Sequence, residues 1–358
     1  MNKTVKRIIK VIAIVLACII VIVGAYVAYF FLSYSRIGDT DLEVNNRTTN
    51  VLEKDKEFKI VSYNTGFGAY EPDYSFFMDG GEYSWAFSEE RLKNNLNNIG
   101  DFLKEQNSDF IFLQEVDFDA TRTYYVDERQ VYYDKLTNYS YVCAQNYNSP
   151  FIMYPIPNPH GANKSSILTF SKYNIESAKR FELPIEEGFT KAFDLDRCYS
   201  KSYIKMSDGK YLVLYNFHLS AYTSDGKIVN EQLDMLLQDI QSEYDKGNYV
   251  VAGGDFNKDI VGDSSKLYSD TDEEFTWAQN IDFERFKDYN CSLIAPFDEN
   301  NPVPSCRNAD KTLEEDTFFI NIDGFIISDN VEKIDSNVID INFEYSDHNP
   351  VYLDFKFS

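Results

Sequence analysis

Residues 249–257 read Tyr-Val-Val-Ala-Gly-Gly-Asp-Phe-Asn, a Val-rich run that reaches two glycines and then turns polar. The apolar run predicts a buried strand, and Gly253 and Gly254 predict that this strand stops where the backbone turns sharply. Asp255 and Asn257 follow at once, and their spacing of two aims both side chains to one side of an extended backbone. Such a strand end is suited to hold a hard cation and a phosphate together.

Five other apolar segments of the chain also lead into polar side chains. The polar residues collected at these strand ends are Asn64, Glu115, His218, Asp255, Asn257, Asp323, Asp347 and His348. Singly, each has an ordinary structural explanation, because carboxylates cap turns and an isolated histidine more often satisfies a hydrogen bond than does chemistry. Their shared placement at the ends of apolar strands favours a common site.

Helical periodicity appears between several of these strands. Ser88 is positioned to cap a helix that carries an apolar stripe and ends near Asn107. A second helix is predicted over residues 127–136, and a third over residues 229–244. Helices interspersed with strands indicate an α/β fold.

Further strands are predicted outside the polar strand ends. Residues 161–171 and 175–183 are expected to pair with each other through a three-residue link. Residues 203–206 and 211–217 form a clearer hairpin around a Ser-Asp-Gly-Lys turn. Residues 259–312 are irregular and polar, so they are expected to cross one rim of the fold.

An apolar segment near the N-terminus is long enough to cross a bilayer as a helix. Residues 8–32 are interrupted only by Lys10, and about 20 apolar residues suffice for a span. A cleaved signal peptide is the alternative, yet residues 25–31 stay aromatic and apolar where a small-residue cleavage site belongs. Basic residues precede the segment and acidic residues follow it, which predicts a cytoplasmic N-terminus over residues 1–7.

The rest of the chain is therefore expected outside the cytoplasm, at the cell membrane. Residues 33–56 are polar and predict a linker without a core of its own. Residues 57–358 are long enough for one large globular domain. Within this domain, residues 149–160 contain four prolines with aromatic and aliphatic residues between them. Such a loop either buries its apolar side chains or exposes them to a lipid or another apolar ligand.

The charge of the chain is strongly acidic. Its formal net charge is −24, and because the first 32 residues hold four basic and no acidic side chains, the remainder carries 30 basic against 58 acidic residues, or −28. This surface repels polyanions at long range, which disfavours without excluding a nucleic-acid substrate. The five cysteines lack the close pairing of a zinc site. The spacing of the cysteines does not by itself decide whether they form disulfides, and free thiols are favoured.

The polar strand ends occur in an order that resembles a known superfamily. The matching segments are Tyr63-Asn64, Leu113-Gln114-Glu115, Asn216-Phe217-His218-Leu219, Gly254-Asp255-Phe256-Asn257, Ile322-Asp323-Gly324-Phe325-Ile326 and Ser346-Asp347-His348-Asn349-Pro350-Val351. Over residues 57–358 this series resembles the endonuclease/exonuclease/phosphatase superfamily, which includes DNase-I-like enzymes and neutral sphingomyelinases. The resemblance implies a four-layer α/β sandwich, with two mixed β-sheets packed face to face and helices outside.

The resemblance also implies roles for these residues in phosphate-ester hydrolysis. Glu115 is expected to be the main ligand of a Mg²⁺ or Mn²⁺ ion, with Asn64 beside it and Asp347 completing the site. Asp255 is expected to orient or deprotonate the attacking water, and Asn257 to fix the phosphate. The expected proton donors and phosphate contacts are His348 with its partner Asp323 and His218 near the leaving group. Apart from the resemblance, Arg197 or Arg307, which lie near the motif segments in the sequence, are candidates to bind the phosphate.

The sequence thus predicts a membrane-anchored, extracytoplasmic, divalent-metal-dependent phosphoesterase. Its substrate is open among phospholipids, nucleic acids and small phosphodiesters, and no protein partner follows from the sequence. One alternative is an endonuclease or exonuclease that acts on DNA or RNA. A second alternative, from another class, is a non-catalytic binding or adhesion domain on the same fold.

Overall fold

The computed structural model describes residues 2–186, 196–221, 227–268, 275 and 277–358. The α-helices in these ranges are α1 (Lys3–Ser33), α2 (Glu89–Gln106), α3 (Glu128–Lys135) and α4 (Lys227–Asp245). The three helices predicted after residue 57 are confirmed to within two residues at each end. Ser88 caps α2 by accepting a hydrogen bond from the Arg91 amide, and Asn107 ends it in a left-handed conformation.

Two large sheets and one small one hold the strands. The first sheet, in spatial order, is β1 (Thr40–Leu42), β6 (Ile175–Glu182), β7 (Cys198–Lys205), β8 (Tyr211–His218), β9 (Tyr249–Asp255), β13 (Asp323–Ser328) and β10 (Cys291–Ile294). The second sheet is β14 (Val331–Val338), β15 (Val351–Phe357), β2 (Phe58–Asn64), β3 (Phe110–Asp117), β5 (Lys164–Ser171) and β4 (Ser140–Asn148). The small sheet pairs β11 (Cys306–Arg307) with β12 (Phe319–Ile320).

The two large sheets pack face to face, and the helices cover their outer faces. Phe112 and Leu353 of the second sheet share one buried cluster with Leu214 and Val251 of the first. The apolar stripe of α2 packs on the outside of the second sheet, and that of α4 on the outside of the first. Both sheets are mixed, because β2 runs parallel to β3 and β8 runs parallel to β9. This is the four-layer α/β sandwich that the resemblance implied.

The glycines of the opening stretch lie inside strand β9 and do not end it. A Cβ atom on Gly254 would lie 1.9 Å from the Phe217 carbonyl oxygen, and one on Gly253 would lie 2.6 Å from the Phe325 ring. The prediction that the strand stops at these glycines was therefore wrong. They let neighbouring strands approach closely, and β9 continues straight to Asp255.

The predicted pairing of residues 161–171 with 175–183 was also wrong. Strand β5 pairs with β3 and β4 in the second sheet, whereas β6 pairs with β1 and β7 in the first. The three-residue link carries the chain from one sheet to the sheet that faces it. Strand β10 and half of the small sheet lie within residues 259–312, which the sequence predicted to be irregular.

The N-terminal region has two parts. Helix α1 is long and apolar enough to cross a membrane, and its 31 residues are almost entirely exposed. The predicted linker, by contrast, is not free of the domain. Strand β1 pairs with β6, and Leu52 is completely buried beside Met206. A few apolar residues in a polar stretch are enough to cover the edge of a sheet. The assignment of domains along the chain stays a prediction.

Candidate active site

Three neighbouring strands bring polar side chains to one edge of the first sheet. In the parallel pair of β8 and β9, His218 lies opposite Asp255. In the antiparallel pair of β9 and β13, Asp323 lies opposite Asp255. The end of two strands and the start of a third therefore meet at Asp255, which is 1% exposed. Residues that are 37 to 105 positions apart in the sequence thus become neighbours.

The carboxylate of Asp255 is held by two amides. Its Oδ1 accepts a hydrogen bond from the backbone amide of Asn257 at 2.8 Å, and its Oδ2 accepts one from Nδ2 of Asn64 at 3.0 Å. Burial and the neighbouring charge of Asp323 raise the pKa of Asp255 above its usual range, and the positive charge of His348 offsets part of this shift. A carboxylate of this kind readily takes up a proton.

His348 and Asp323 form a close charge pair at the site. Nδ1 of His348 donates to Oδ2 of Asp323 at 2.8 Å, which leaves Nε2 directed to Oδ2 of Asp255 at 3.8 Å. Burial by itself lowers the pKa of His348, but the attraction and hydrogen bond of Asp323 outweigh it and raise that pKa well above the usual range. The Ser305 hydroxyl donates to the same Oδ2 of Asp323 at 2.8 Å. The imidazole is thus a positioned cation at neutral pH.

His218 has the opposite electrostatic setting. Its Nε2 lies 3.4 Å from Oδ2 of Asp255, and its Nδ1 is buried without a hydrogen-bond partner among the residues that the structure describes. Burial and the positive charges of Arg197 and His348 lower the pKa of His218 well below the usual range. His218 is therefore neutral, and it offers one donor and one acceptor nitrogen to the site.

Glu115 is placed by an irregularity inside strand β3. The sequence predicted that this strand ends just before Glu115, whereas it continues to Asp117 with a shift of register between Leu113 and Val116. Glu115 adopts φ = 54°, a conformation that is uncommon outside glycine. A bulge of this kind redirects one side chain out of the sheet. Burial and the charge of Asp347 raise the pKa of Glu115.

Two donor sets among the described residues are suited to a metal ion. Asp255, Asp323 and His348 have ligand atoms within 4.8 Å of one another, but a hydrogen bond already joins two of them. Glu115 and Asp347 raise each other's energy by repulsion, and among the described residues neither is hydrogen-bonded to a cationic side chain. Two carboxylates that share a cavity and hold no hydrogen bond to a cationic side chain among the described residues fit a divalent cation that takes oxygen ligands.

Asn64 connects the two carboxylates that flank it. Its Nδ2 donates to Oε1 of Glu115 at 3.3 Å and to Oδ2 of Asp255 at 3.0 Å. Its Oδ1 accepts a hydrogen bond from the Gly66 amide at 3.1 Å. In this orientation Asn64 positions both carboxylates through its amide nitrogen, and its place beside a metal stays a prediction.

One cavity of about 420 Å³ joins most of these groups. The predicted site residues that line it are Glu115, Arg197, His218, Asp255, Asn257, Arg307, Asp347 and His348. Asn64 and Asp323 lie behind this lining, where they hold Asp255 and His348. The structure thus brings all ten predicted residues together.

A further arginine, Arg122, lines the cavity beside the two predicted phosphate-binding arginines, and the sequence analysis missed it. The Nη groups of Arg307 donate to backbone carbonyls, among them those of Tyr70 and Asn308, so they hold loops together. Arg122 also lines the cavity, and it donates two hydrogen bonds to Asp117 while it stacks on Phe67. No sequence pattern marked Arg122, because it lies in a short turn after β3.

A buried polar contact beneath the site was also missed. Nε2 of Gln114 donates to Oδ1 of Asn216 at 2.8 Å, and Nδ2 of Asn216 donates to the Leu168 carbonyl at 2.8 Å. These bonds join the two sheets directly under Glu115 and His218. Both residues were visible in the sequence within the polar strand-end segments. Their inward orientation was not.

A comparison with family profiles places most of the chain in one family. The profile described as the Endonuclease/Exonuclease/phosphatase family matches residues 61–348. That match begins in strand β2 and ends at His348, so it contains every predicted site residue. A comparison with curated proteins found no match.

Solved structures share the fold. An endonuclease/exonuclease/phosphatase from Beutenbergia cavernae is 14% identical with a TM-score of 0.55, over 85% of this chain and 72% of that one. TDP2 from C. elegans is 17% identical with a TM-score of 0.52, over 85% of this chain and 76% of that one. ANGEL2, a 2',3'-cyclic phosphatase, is 14% identical with a TM-score of 0.54, over 90% of this chain and 99% of that one. At these identities the likeness concerns the fold alone.

Proposed function

The chain belongs to the endonuclease/exonuclease/phosphatase family, and on this premise we propose that it is a membrane-anchored, extracytoplasmic, divalent-metal-dependent phosphoesterase. The observation that carries the proposal is the meeting of Glu115, Asp255 and His348 at one cavity. Two carboxylates with raised pKa and one histidine held as a cation stand side by side there. Paired groups of opposite titration behaviour are typical of acid–base catalysis.

The carboxylates of Glu115 and Asp347 would hold the metal, with Asn64 keeping Glu115 in place. Bound Mg²⁺ or Mn²⁺ supplies positive charge for the phosphoryl oxygens and favours the ionised form of a nearby water. These oxygen donors suit either ion, and they do not suit a metal that prefers sulfur or several imidazoles.

Asp255 is the group best placed to take a proton from the attacking water. Both of its oxygens face donors that fix its direction, and the raised pKa makes it a stronger base than an exposed aspartate. Asn257, which lines the same cavity, is held by a hydrogen bond from its Nδ2 to the Leu219 carbonyl. Because an amide nitrogen carries two hydrogens, the second one on Nδ2 would donate to a phosphoryl oxygen of the substrate.

His348 and Arg122 are two of the cationic side chains that line the cavity, together with Arg197 and Arg307. His348, charged through Asp323, would donate from Nε2 to a phosphoryl oxygen as negative charge grows in the transition state. Arg122 would attract the anionic substrate into an otherwise carboxylate-rich cavity. His218, which is neutral, would donate a hydrogen bond to the leaving oxygen.

Helix α1 supports the membrane part of the proposal. Its 31 residues span roughly 46 Å at 1.5 Å per residue, more than a bilayer core requires. Four basic residues lie in its first turns, and none of its residues is acidic. This asymmetry favours an N-terminus in the cytoplasm and a catalytic domain on the other side.

The direct test uses the full chain in detergent after removal of metal. We expect hydrolysis of bis-p-nitrophenyl phosphate with added Mg²⁺ or Mn²⁺, none with EDTA, and loss of the activity in Glu115→Gln. p-Nitrophenyl phosphate, assayed in parallel, separates a diesterase from a monoesterase, and plasmid nicking tests the nuclease alternative. Inactivity towards every ester with either metal would favour the non-catalytic alternative.

A further inference from the structure

The proline-rich loop of residues 149–160, which we call the rim loop, lies between helix α1 and the catalytic cavity. We propose that the rim loop docks into the membrane surface beside α1, so that the cavity opens onto lipid head groups and the substrate is a phosphoester lipid of the same membrane. This inference rests on the proposed function, because it requires an anchored phosphoesterase. It adds a docking surface and a substrate class.

Helix α1 and the rim loop are joined by several contacts. The Tyr26 hydroxyl donates to the Phe151 carbonyl at 3.0 Å and accepts from the Met153 amide at 3.1 Å. One turn later the Tyr29 hydroxyl accepts from the Phe151 amide at 3.3 Å. Phe30 packs on Ile152, and both are buried. The rim loop is thus fixed against the last two turns of the helix.

The position of these contacts along α1 sets the depth of the rim loop. Tyr26 precedes the helix end at Ser33 by seven residues, or about 10 Å of helix. Tyrosines near the end of a span lie at the level of the lipid head groups, where the ring is apolar and the hydroxyl is hydrated. If α1 spans the membrane, a loop bonded to Tyr26 and Tyr29 lies at that level too.

The composition and exposure of the rim loop fit this position. Met153, Tyr154 and Ile156 are 51%, 67% and 82% exposed. Residues 149–160 contain no Asp, Glu, Lys or Arg, in a chain of net charge −24. Burial lowers the pKa of His160 to about 3, so this residue adds no charge at neutral pH. An uncharged apolar tip on an acidic protein enters a bilayer interface without a cost for burying charge.

The same loop forms part of the mouth of the cavity. His160, at its end, lines the cavity together with Phe76 and Met78. The Tyr154 ring packs on Phe77, with 5.8 Å between centroids, and Phe77 packs on His160 at 5.3 Å. A lipid whose acyl chains stay in the bilayer beside the rim loop would therefore present its phosphate to the cavity.

Docking is tested first without any catalytic readout. The full-length variant Ile156→Trp is reconstituted into phosphatidylcholine vesicles that carry brominated acyl chains, and its fluorescence is compared with that of Ile334→Trp. Ile334 is also exposed but belongs to β14, at the opposite edge of the second sheet from the rim loop. We expect quenching beyond the parent protein for residue 156 and none for residue 334. Equal quenching at the two positions would overturn the docking.

The substrate class is tested with the double variant Met153→Ser/Ile156→Ser, with Ile334→Ser as its matched control. We expect a three- to tenfold lower rate on sphingomyelin or phosphatidylcholine in vesicles, with hydrolysis of soluble bis-p-nitrophenyl phosphate unchanged. An unchanged rate on the vesicle lipids would overturn the inference. A parent protein inactive on all esters would instead overturn the proposed function, and the quenching would still decide the docking.

Discussion

Two buried charge clusters of this protein have similar depth and opposite electrostatics. In the first, on the outer face of the first sheet, Glu243 of α4 accepts hydrogen bonds from Lys201 at 2.7 Å and from Lys246, Tyr203 and Asn248 at 2.8 Å each. In the second, at the edge of the same sheet, the carboxylate of Asp255 faces amides, a neutral histidine, a second aspartate and, at 3.8 Å, the charged His348.

The difference appears in the protonation behaviour of the carboxylates. Burial alone raises the pKa of Glu243, but the hydrogen bonds from Lys201 and Lys246 outweigh it and lower that pKa to about 2. Burial and Asp323 raise the pKa of Asp255. A carboxylate hydrogen-bonded to two lysines stabilises the fold, whereas a carboxylate whose pKa is raised by burial and a second carboxylate is suited to bind a proton or a cation during function. The following predictions test this distinction.

The largest effect is expected at Asp255. Asp255→Asn should lower kcat/KM on bis-p-nitrophenyl phosphate about a thousandfold, because the proton acceptor for the attacking water is lost. The metal-free variant should unfold at the same urea concentration as the parent or a higher one, since a repelled buried charge has been removed. A loss of activity below about tenfold would refute the assigned role.

Glu243 should behave in the reverse way. Glu243→Gln should lower the free energy of unfolding in urea by about 2 kcal/mol, because buried Lys201 keeps Asp239 at 2.7 Å but loses the charge of Glu243, and kcat should stay unchanged. Glu332→Gln is the control, since it breaks an exposed pair with Lys356 at 3.1 Å and should cost less than about 1 kcal/mol. Equal costs for the two variants would remove the basis of the comparison.

The two clusters should also give opposite pH dependence of stability. Raised pKa values at Asp255 and Glu115 mean that the metal-free folded state binds more protons than the unfolded state, so their contribution falls as the pH rises above about 4. The lowered pKa of Glu243 gives a contribution that is present above about pH 4.5 and is lost towards pH 2.

Metal should reverse only the first of these trends. Mg²⁺ at a hundred times its dissociation constant should stabilise the protein by about 2.7 kcal/mol, and more at pH 7.5 than at pH 5, because protons compete for the same carboxylates. Thermal unfolding at both pH values, with Mg²⁺ or EDTA, measures this. Glu115→Gln should remove most of the Mg²⁺ effect, and an undiminished effect would place the metal elsewhere.

The smallest effect is expected at Arg122, which borders the cavity and forms an ion pair with Asp117. Arg122→Lys keeps the charge but loses the two-pronged contact with Asp117 and the stacking on Phe67, so KM for the diester should rise about tenfold. Arg91→Lys, at a partly exposed arginine paired with Glu71 and Asp73, should leave KM unchanged. If both variants gave the parental KM, Arg122 would have no part in substrate binding.

Much of the site was predictable because of where apolar runs stop. Side chains just beyond buried strands gather at sheet edges, and the order of the segments carried the resemblance to the family. Arg122 was missed because a turn arginine looks the same in sequence whether it faces solvent or a cavity. Glu115 was predicted as a strand end, since a bulge leaves no mark in the pattern of apolar residues.

The sequence by itself determined the helices, most of the strands, the apolar N-terminal segment and the candidate residues, because periodicity and apolar runs are local properties of the chain. The tertiary structure decided the rest. It separated β5 from β6, fixed β1 on the domain, and gave Asp255 and Glu243 opposite pKa shifts. Strand pairing and pKa shifts depend on which distant groups surround each atom in the folded state. Nothing in the sequence of residues 249–257 indicates that Asp323 and His348 lie beside Asp255.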